Sequence, residues 1–124
     1  EVGDIRGEGS ALSGLASHFV DIDDFAQAEP LIRQSLALEI ATNQRRREGF
    51  ARILLARSHD ASGRIDDSLA EFRHAAEILR EVKDPSGERF ALTRLLRALA
   101  DAGREADGAS EAARLAEIGG PARI

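Results

Sequence analysis

The strongest constraint on the fold is a self-similarity with a period of forty residues. Such a period is typical of arrays in which each repeat is one supersecondary unit. The residues that recur in this register are Glu8, Glu48 and Glu88; Ala11, Ala51 and Ala91; Leu15, Leu55 and Leu95; and Leu38, Ile78 and Ile118. Four sets in one register are not expected by chance. The sequence therefore predicts three repeats, at about 7–47, 48–87 and 88–120, within one domain.

Each repeat predicts two amphipathic helices joined by a tight turn, which makes about six helices. The central segment 48–82 shows this best, with apolar residues at helical spacing on both sides of the turn Ser62-Gly63-Arg64. Asp23, Gly63 and Gly103 share the turn register, and they suit a helix C-terminus with a left-handed backbone. The sequence predicts an all-α helix-turn-helix solenoid.

The expected helix limits follow from the same pattern. The opening letters EVGDIRGE match the connector EVKDPSGE at 81–88, so we expect them to be the tail of a preceding repeat and the first helix to run over about 7–21. Asp23 or Asp24 is expected to cap the second helix, which runs to about Thr42. The last helix is expected at about 106–118, ending before Gly119.

Pro30 falls inside the second predicted helix. Proline in a helix interior removes a hydrogen bond and clashes with the preceding turn, at a cost of about 3 kcal/mol. Either the helix kinks there or its first turn is irregular, and we favour a mild kink because the apolar period resumes beyond Pro30.

Composition excludes several classes of function. The formal net charge of −5 argues against a general nucleic-acid binder, and no apolar run is long enough to span a membrane. The chain has no Cys, which excludes disulfides and thiolate metal sites and suits a cytoplasmic protein. It also has no Met, so we expect a fragment of a larger protein.

The pattern resembles the tetratricopeptide repeat (TPR) family. On its first helix, a TPR unit has a large apolar residue, then a leucine followed by a small residue, then an aromatic residue. In the first repeat these positions are Leu12, Leu15, Ala16 and Phe19. The small residue early in the second helix is matched by Ala28, Ser68 and Gly108, and the aromatic residue there by Phe72. The common TPR period is shorter than forty, and the extra residues fall in the connector and at the end of the second helix.

This resemblance implies a right-handed superhelix that binds protein. Lengthened repeats with such a connector are similar to those in large bacterial signalling regulators, with actinobacterial antibiotic-regulator-like activators as the nearest match, which implies a part in transcription regulation. The chaperone-binding TPR subclass relies on groove asparagines, and the single Asn43 argues against that subclass.

No catalytic motif stands out, so we expect no enzyme, cofactor or metal site. The chain lacks a Walker-type loop, an HExxH zinc motif and a nucleophile elbow. His18, His59 and His74 lie at different helical positions, and a third converging ligand is not evident. A helical enzyme with an unrecognised site is a remote alternative.

The remaining candidate is the concave groove, which in the TPR superhelix is lined by the first helix of each repeat. The candidate partner-binding residues are Ser13, Ser17, Ile53, Arg57, Asp60, Arg94, Arg97 and Asp101. Three arginines in an acidic chain favour an acidic peptide or a C-terminus as partner, because guanidinium pairs with carboxylate in a bidentate manner. The alternatives are that these arginines only pair with neighbouring acids, and that the repeats self-associate as a homodimer or pack on another domain.

Overall fold

The computed structural model describes the backbone of residues 2–120 and the side chains of residues 8–120. This part of the chain is all α-helical, and consecutive helices pack side by side as a helical repeat solenoid. The elements are α1 (Val2–Asp21), α2 (Phe25–Ala41), α3 (Arg45–Ala61), α4 (Ile65–Glu81), α5 (Pro85–Asp101), a short 3₁₀ helix (Glu105–Gly108) and α6 (Ala109–Glu117).

A three-residue turn of one kind separates successive helices, and it recurs every twenty residues. Its central residue has a positive φ, and these residues are Asp23 (60°), Asn43 (54°), Gly63 (76°), Lys83 (59°) and Gly103 (69°). The amide after each of them bonds to the carbonyl five residues earlier, as in Arg64 N to His59 O at 2.9 Å. This is the Schellman motif, which satisfies the last carbonyls of a helix.

The predicted turn chemistry is confirmed at Asp23, Gly63 and Gly103. Asp24 is the N-cap of α2, and its Oδ1 accepts from the Gln27 amide at 3.3 Å. Asp84 caps α5 in the same way through the Gly87 amide at 3.0 Å. Two of the five turns therefore use a side chain that stabilises the next helix start.

Two helix limits differ from the prediction. The first helix starts at Val2 instead of about residue 7, so the expected connector continues α1. No described element packs ahead of α1, so a turn there would bury nothing, whereas continued helix adds backbone hydrogen bonds. The last helix is split into a 3₁₀ turn and α6, and Gly108, a weak helix former, lies where the two meet.

Pro30 lies inside α2, which stays helical from Phe25 to Ala41. It is exposed, and the buried residues of α2 on either side of it are Ala28 and Ile32. The helix continues because its apolar face remains packed on both sides of the lost backbone hydrogen bond.

Two buried clusters form the core. The smaller joins α1, α2 and α3 through Ala16, Val20, Ala28, Ile32 and Leu55. The larger joins α3 to α6, and its buried members are Ile53, Ala56, Leu69, Phe72, Ala75, Ala76, Leu79, Ala91, Leu92, Leu95, Ala98, Leu99 and Leu115. The small residues Ala28, Ser68 and Gly108 are all buried, which allows the helices to approach closely.

Candidate binding face

The first helices of the three repeats lie next to one another on one side of the stack. Helix α1 contacts α3, and α3 contacts α5, in addition to their contacts with α2 and α4. Within residues 2–120 the second helices α2, α4 and α6 make no such contacts with each other. This arrangement places α1, α3 and α5 on the inner side of a curved stack, here called the inner face.

Three of the predicted site residues, Arg57 of α3 with Arg94 and Arg97 of α5, form a positive group on this face. We call it the arginine cluster. Burial lowers the pKa of Arg94, and the charges of Arg57 and Arg97 lower it further. The nearby carboxylate of Asp21, at the end of α1, acts in the opposite direction. The three helices therefore bring three cations and one anion into mutual range.

Arg94 packs against an aromatic ring. Its guanidinium carbon lies 5.4 Å from the centre of the Phe90 ring, one turn earlier on α5, which is the distance of a cation–π contact. Its Nε is buried and has no hydrogen-bond partner among the described residues. A cation that is desolvated in this way and has no carboxylate partner in that part of the chain adds to the positive character of this face.

The cluster is incompletely neutralised. Arg57 Nη1 lies 4.0 Å from Asp21 Oδ1, at the limit for an ion pair, and most of the Asp21 side chain is exposed. Arg94 and Arg97 make no ion pair within the described part of the chain, whereas Arg45, Arg46 and Arg104 each have a carboxylate at 2.8 Å. The remaining positive charge therefore attracts an anion from outside.

The other predicted residues divide into three groups. Ser17 is half-buried, and Asp60 and Asp101 are exposed. Ser13 points into the α1–α2 interface, where its Oγ lies 3.0 Å from Ser35 Oγ. Ile53 is only 2% exposed and belongs to the larger core cluster, so no partner can contact its side chain. The sequence placed Ile53 on the groove because its register matches Ser13, but its side chain packs towards α4.

Two contributors to the site were not predicted from the sequence. Asp21 ends α1, and the residues in the same register are Ala61 in α3 and Asp101 in α5, so only one of the other two repeats has an acid there. Phe90 is half-buried, packs against the larger core cluster and also contacts the Arg94 guanidinium. The spacing of Phe90 and Arg94 at i and i+4 on one helix is the signal that could have identified their contact.

The histidines and the carboxylates do not form a second site of this kind. His18 is exposed and lies beside the Phe19 ring at 5.5 Å, His59 is buried, and His74 is exposed. Within the described residues no group of three His, Asp or Glu side chains is placed to hold a metal ion. None of the described helices has the length and apolar character needed to cross a membrane.

A cleft of about 250 Å³ lies on the other side of the stack, between α4, α5 and α6. Its walls include Arg73, Arg80, Glu88, Glu111 and Arg114. Arg73 and Arg114 are bonded to Glu111 and Glu88 respectively, so the charges in this cleft largely neutralise one another. The arginine cluster on the inner face is therefore the more suitable surface for an anionic partner.

The chain matches no family model, and it matches no curated protein.

Proposed function

We propose that this domain is a protein-interaction scaffold whose inner face binds an acidic segment of a partner. The observation that carries the proposal is the under-neutralised arginine cluster, in a chain whose formal net charge is −5. Such a local inversion of charge favours carboxylate-rich ligands and steers them to one face. No other chemistry has comparable support in the described residues.

The helical stack suits this role because it is built before a partner arrives. Arg57, Arg94 and Arg97 project from the middle and later turns of two packed helices, where both backbones are hydrogen-bonded. A preformed face loses little conformational entropy on binding. Carboxylates that approach the cluster can pair with Arg97, which is exposed, and with Arg57, which is partly exposed.

The resemblance of the repeats to TPR units supports a wider proposal. In that proposal the domain belongs to a cytoplasmic bacterial regulator, and the partner segment on the inner face contributes to its control of transcription. The residues that carry the resemblance are Leu12, Leu15, Ala16 and Phe19 of the first helix and the small residues Ala28, Ser68 and Gly108 of the second.

Binding of a fluorescent decapeptide of alternating Glu and Gly tests the binding proposal. We expect a Kd of about 10–100 µM at low salt, weakening as the ionic strength rises. The triple variant R57E/R94E/R97E should lose at least about tenfold in affinity, since it reverses the charge that attracts the peptide. Circular dichroism checks that the variant keeps its helicity, and R97E alone, at an exposed position, serves if it does not.

The matched control is R33E/R80E/K83E, which changes the net charge equally at three exposed positions away from the inner face. We expect it to retain most of the affinity. Equal losses in both triple variants would show that the peptide responds only to overall charge, and the proposed face would then be wrong.

A further inference from the structure

One side of α1 is exposed although its equivalents in the other repeats are buried. The residues on this side are Glu8, Ala11, Leu15 and His18, which we call the outer face of α1. They recur at helical spacing, so they form one continuous stripe. Leu15 is 47% exposed, whereas Leu55 and Leu95, in the same register, are 5% and 0% exposed.

The same contrast holds along the whole stripe. Ala11 is exposed, but Ala51 and Ala91 are 1% and 0% exposed. Glu8 is also exposed, but Glu48 and Glu88 are buried. The difference is therefore not a peculiarity of Leu15, since every member of the outer face lacks a cover that its equivalents have.

The cover in the other repeats is the preceding second helix. Leu55 of α3 belongs to the buried cluster that contains Ala28 and Ile32 of α2. On the same side of α3, Ser58 Oγ donates to Glu29 Oε1 of α2 at 3.0 Å. The outer face of α1 therefore has the shape and chemistry of a surface that packs against a helix of this kind.

Helix α4 shows which side chains a helix needs in order to cover a face of this kind. On α5, Ala91 and Leu95 lie in one cluster with four residues of α4 at spacings of three and four: Leu69, Phe72, Ala76 and Leu79. The exposed stripe of α6 in that register is Ala109, Ala112 and Ala116, which lacks these large side chains. The end of α6 is thus a poor cover for a second copy, and an amphipathic helix with large apolar residues fits the outer face better.

The residues at the start of α1 indicate how that helix would connect. Val2, Gly3 and Asp4 stand twenty residues before the turn at Ile22–Asp24, in the register of every other turn. Gly3 takes the place of the positive-φ residue, and Asp4 takes the place of the capping residues Asp24 and Asp84. In the structure these three residues are the extra length of α1, which has 20 residues against 17 in α2 to α5.

We propose that the outer face of α1 is the seat of one more antiparallel helix of the α2 and α4 type, joined to α1 by a turn at Val2–Asp4. This surface is separate from the arginine cluster and does not depend on it. Its occupant is an amphipathic helix with large apolar residues at spacings of three and four, supplied by polypeptide on the N-terminal side of Val2.

The test adds a copy of residues 65–80 before Glu1, which then stands in the place of Glu81. Because the chain has no Cys, the variant L15C carries a single thiol on the outer face. In the extended chain we expect this thiol to react with a thiol reagent at least about tenfold more slowly, because the added helix covers it. We also expect Tm to rise by about 5 °C or more, since a further stacked unit adds a buried interface.

The control is the same extension with L69E and F72E in the added copy only, which removes the large apolar residues and should give neither protection nor a higher Tm. Equal reactivity of L15C with and without the extension would overturn the proposal, as would equal protection by the control copy. Protection that appears in the unextended chain as its concentration rises would identify a second copy as the occupant and would also overturn it.

Discussion

The junction of α3 with α4 and the junction of α4, α5 and α6 hold glutamates at equivalent repeat positions, but each junction pairs them with arginines at different positions. In the first, the central junction, Arg52 donates to Glu48 at 3.0 Å and to Glu71 at 3.1 Å. In the second, the C-terminal junction, the residue in the register of Arg52 is Leu92. There Arg114 donates to Glu88 at 2.7 Å, and Arg73 lies 3.3 Å from Glu111.

Glu48 and Glu88 stand in the same register because the helix stack buries that position in both junctions, and a buried charge must be paired. Glu48 and Glu88 are each less than a tenth exposed. The arginine can stand at different repeat positions, because its long side chain reaches the glutamates from α3, α4 or α6. A comparison of the repeat sequences therefore identifies the glutamates but not the arginines that pair with them.

The two junctions also differ in packing. Leu92 leaves the C-terminal junction with the cleft of about 250 Å³, whose walls include Glu88 and Arg114. In the central junction the Arg52 side chain lies between its two carboxylates and is mostly buried. Glu48 and Glu88 are buried to the same degree, but of the two only Glu88 lines the cleft, and the three predictions below test that difference.

The largest effect is expected for R52M in the central junction. The methionine keeps the apolar part of the side chain but leaves Glu71 without its arginine and Glu48 with Arg45 alone. We expect a loss of about 3 kcal/mol in the free energy of unfolding, because removing one partner strands a buried charge. Urea denaturation measures the loss.

The control for R52M is R33M, which removes an exposed i,i+4 pair with Glu29 at 3.7 Å and should cost at most about 0.5 kcal/mol. If both variants lost the same small amount of stability, the ion pairs of the central junction would be surface-like, and the contrast with Arg33 would disappear.

A smaller effect is expected for R114M in the C-terminal junction. The hydrogen bonds that Arg114 donates to Glu88 raise the pKa of Arg114 above its ordinary value, so the arginine stays charged. Its loss leaves Glu88 beside the cleft, where water can enter and partly replace the guanidinium. R114M should therefore lower Tm by less than R52M.

A variant that moves the arginine from position 114 to position 92 tests the C-terminal junction further. In the R114M background, L92R places an arginine four residues after Glu88, as Arg52 follows Glu48, and should recover part of the lost Tm. In the wild-type background L92R should be destabilising, because it removes a core leucine and adds a cation beside Arg114. Additive effects of the two substitutions would contradict the idea that the register of the cation is interchangeable.

The sequence predicted the positions of repeats, the turns at Gly63 and Gly103 and the approximate helices, because these depend on local periodicity and turn chemistry. It did not predict the turns at Asn43 and Lys83 as members of the same series. Lysine is unusual at positive φ, and tertiary packing of the helices on both sides holds it there. The repeat of turn geometry every twenty residues is consequently clearer in the structure than in the sequence.

The candidate site could also be predicted only in part from the sequence. The spacing on the first helices predicted that Arg57, Arg94 and Arg97 share a face, and the structure brings them together. The burial of Ile53 and the approach of Asp21 to Arg57 depend on how the helices pack against one another, which periodicity does not encode. Pairings across helices are in general set by packing and side-chain reach.

The smallest effect is expected for Glu39, the third buried glutamate after Glu48 and Glu88. Its hydrogen-bond partners are serine hydroxyl groups, whereas those of Glu48 and Glu88 are arginine guanidinium groups. Burial raises its pKa, while Ser35, Ser13 and the charge of Arg47 oppose that rise. One oxygen, Oε1, is buried without a hydrogen-bond partner among the described residues. The residue twenty positions before Glu39 is Phe19 and the residue forty positions after it is Leu79, so these equivalent positions have no carboxylate.

We therefore expect E39Q to be more stable than the wild type at pH 7, by up to about 1 kcal/mol, because it removes a charge that burial disfavours. Since the pKa of Glu39 is higher in the folded than in the unfolded chain, the wild type gains stability as the pH falls through the folded pKa towards the ordinary value of 4.5. The advantage of E39Q should shrink over that range. Urea denaturation at pH 7, 6, 5 and 4 measures it, and an advantage that stays constant with pH would show that the gain comes from packing instead of from the charge.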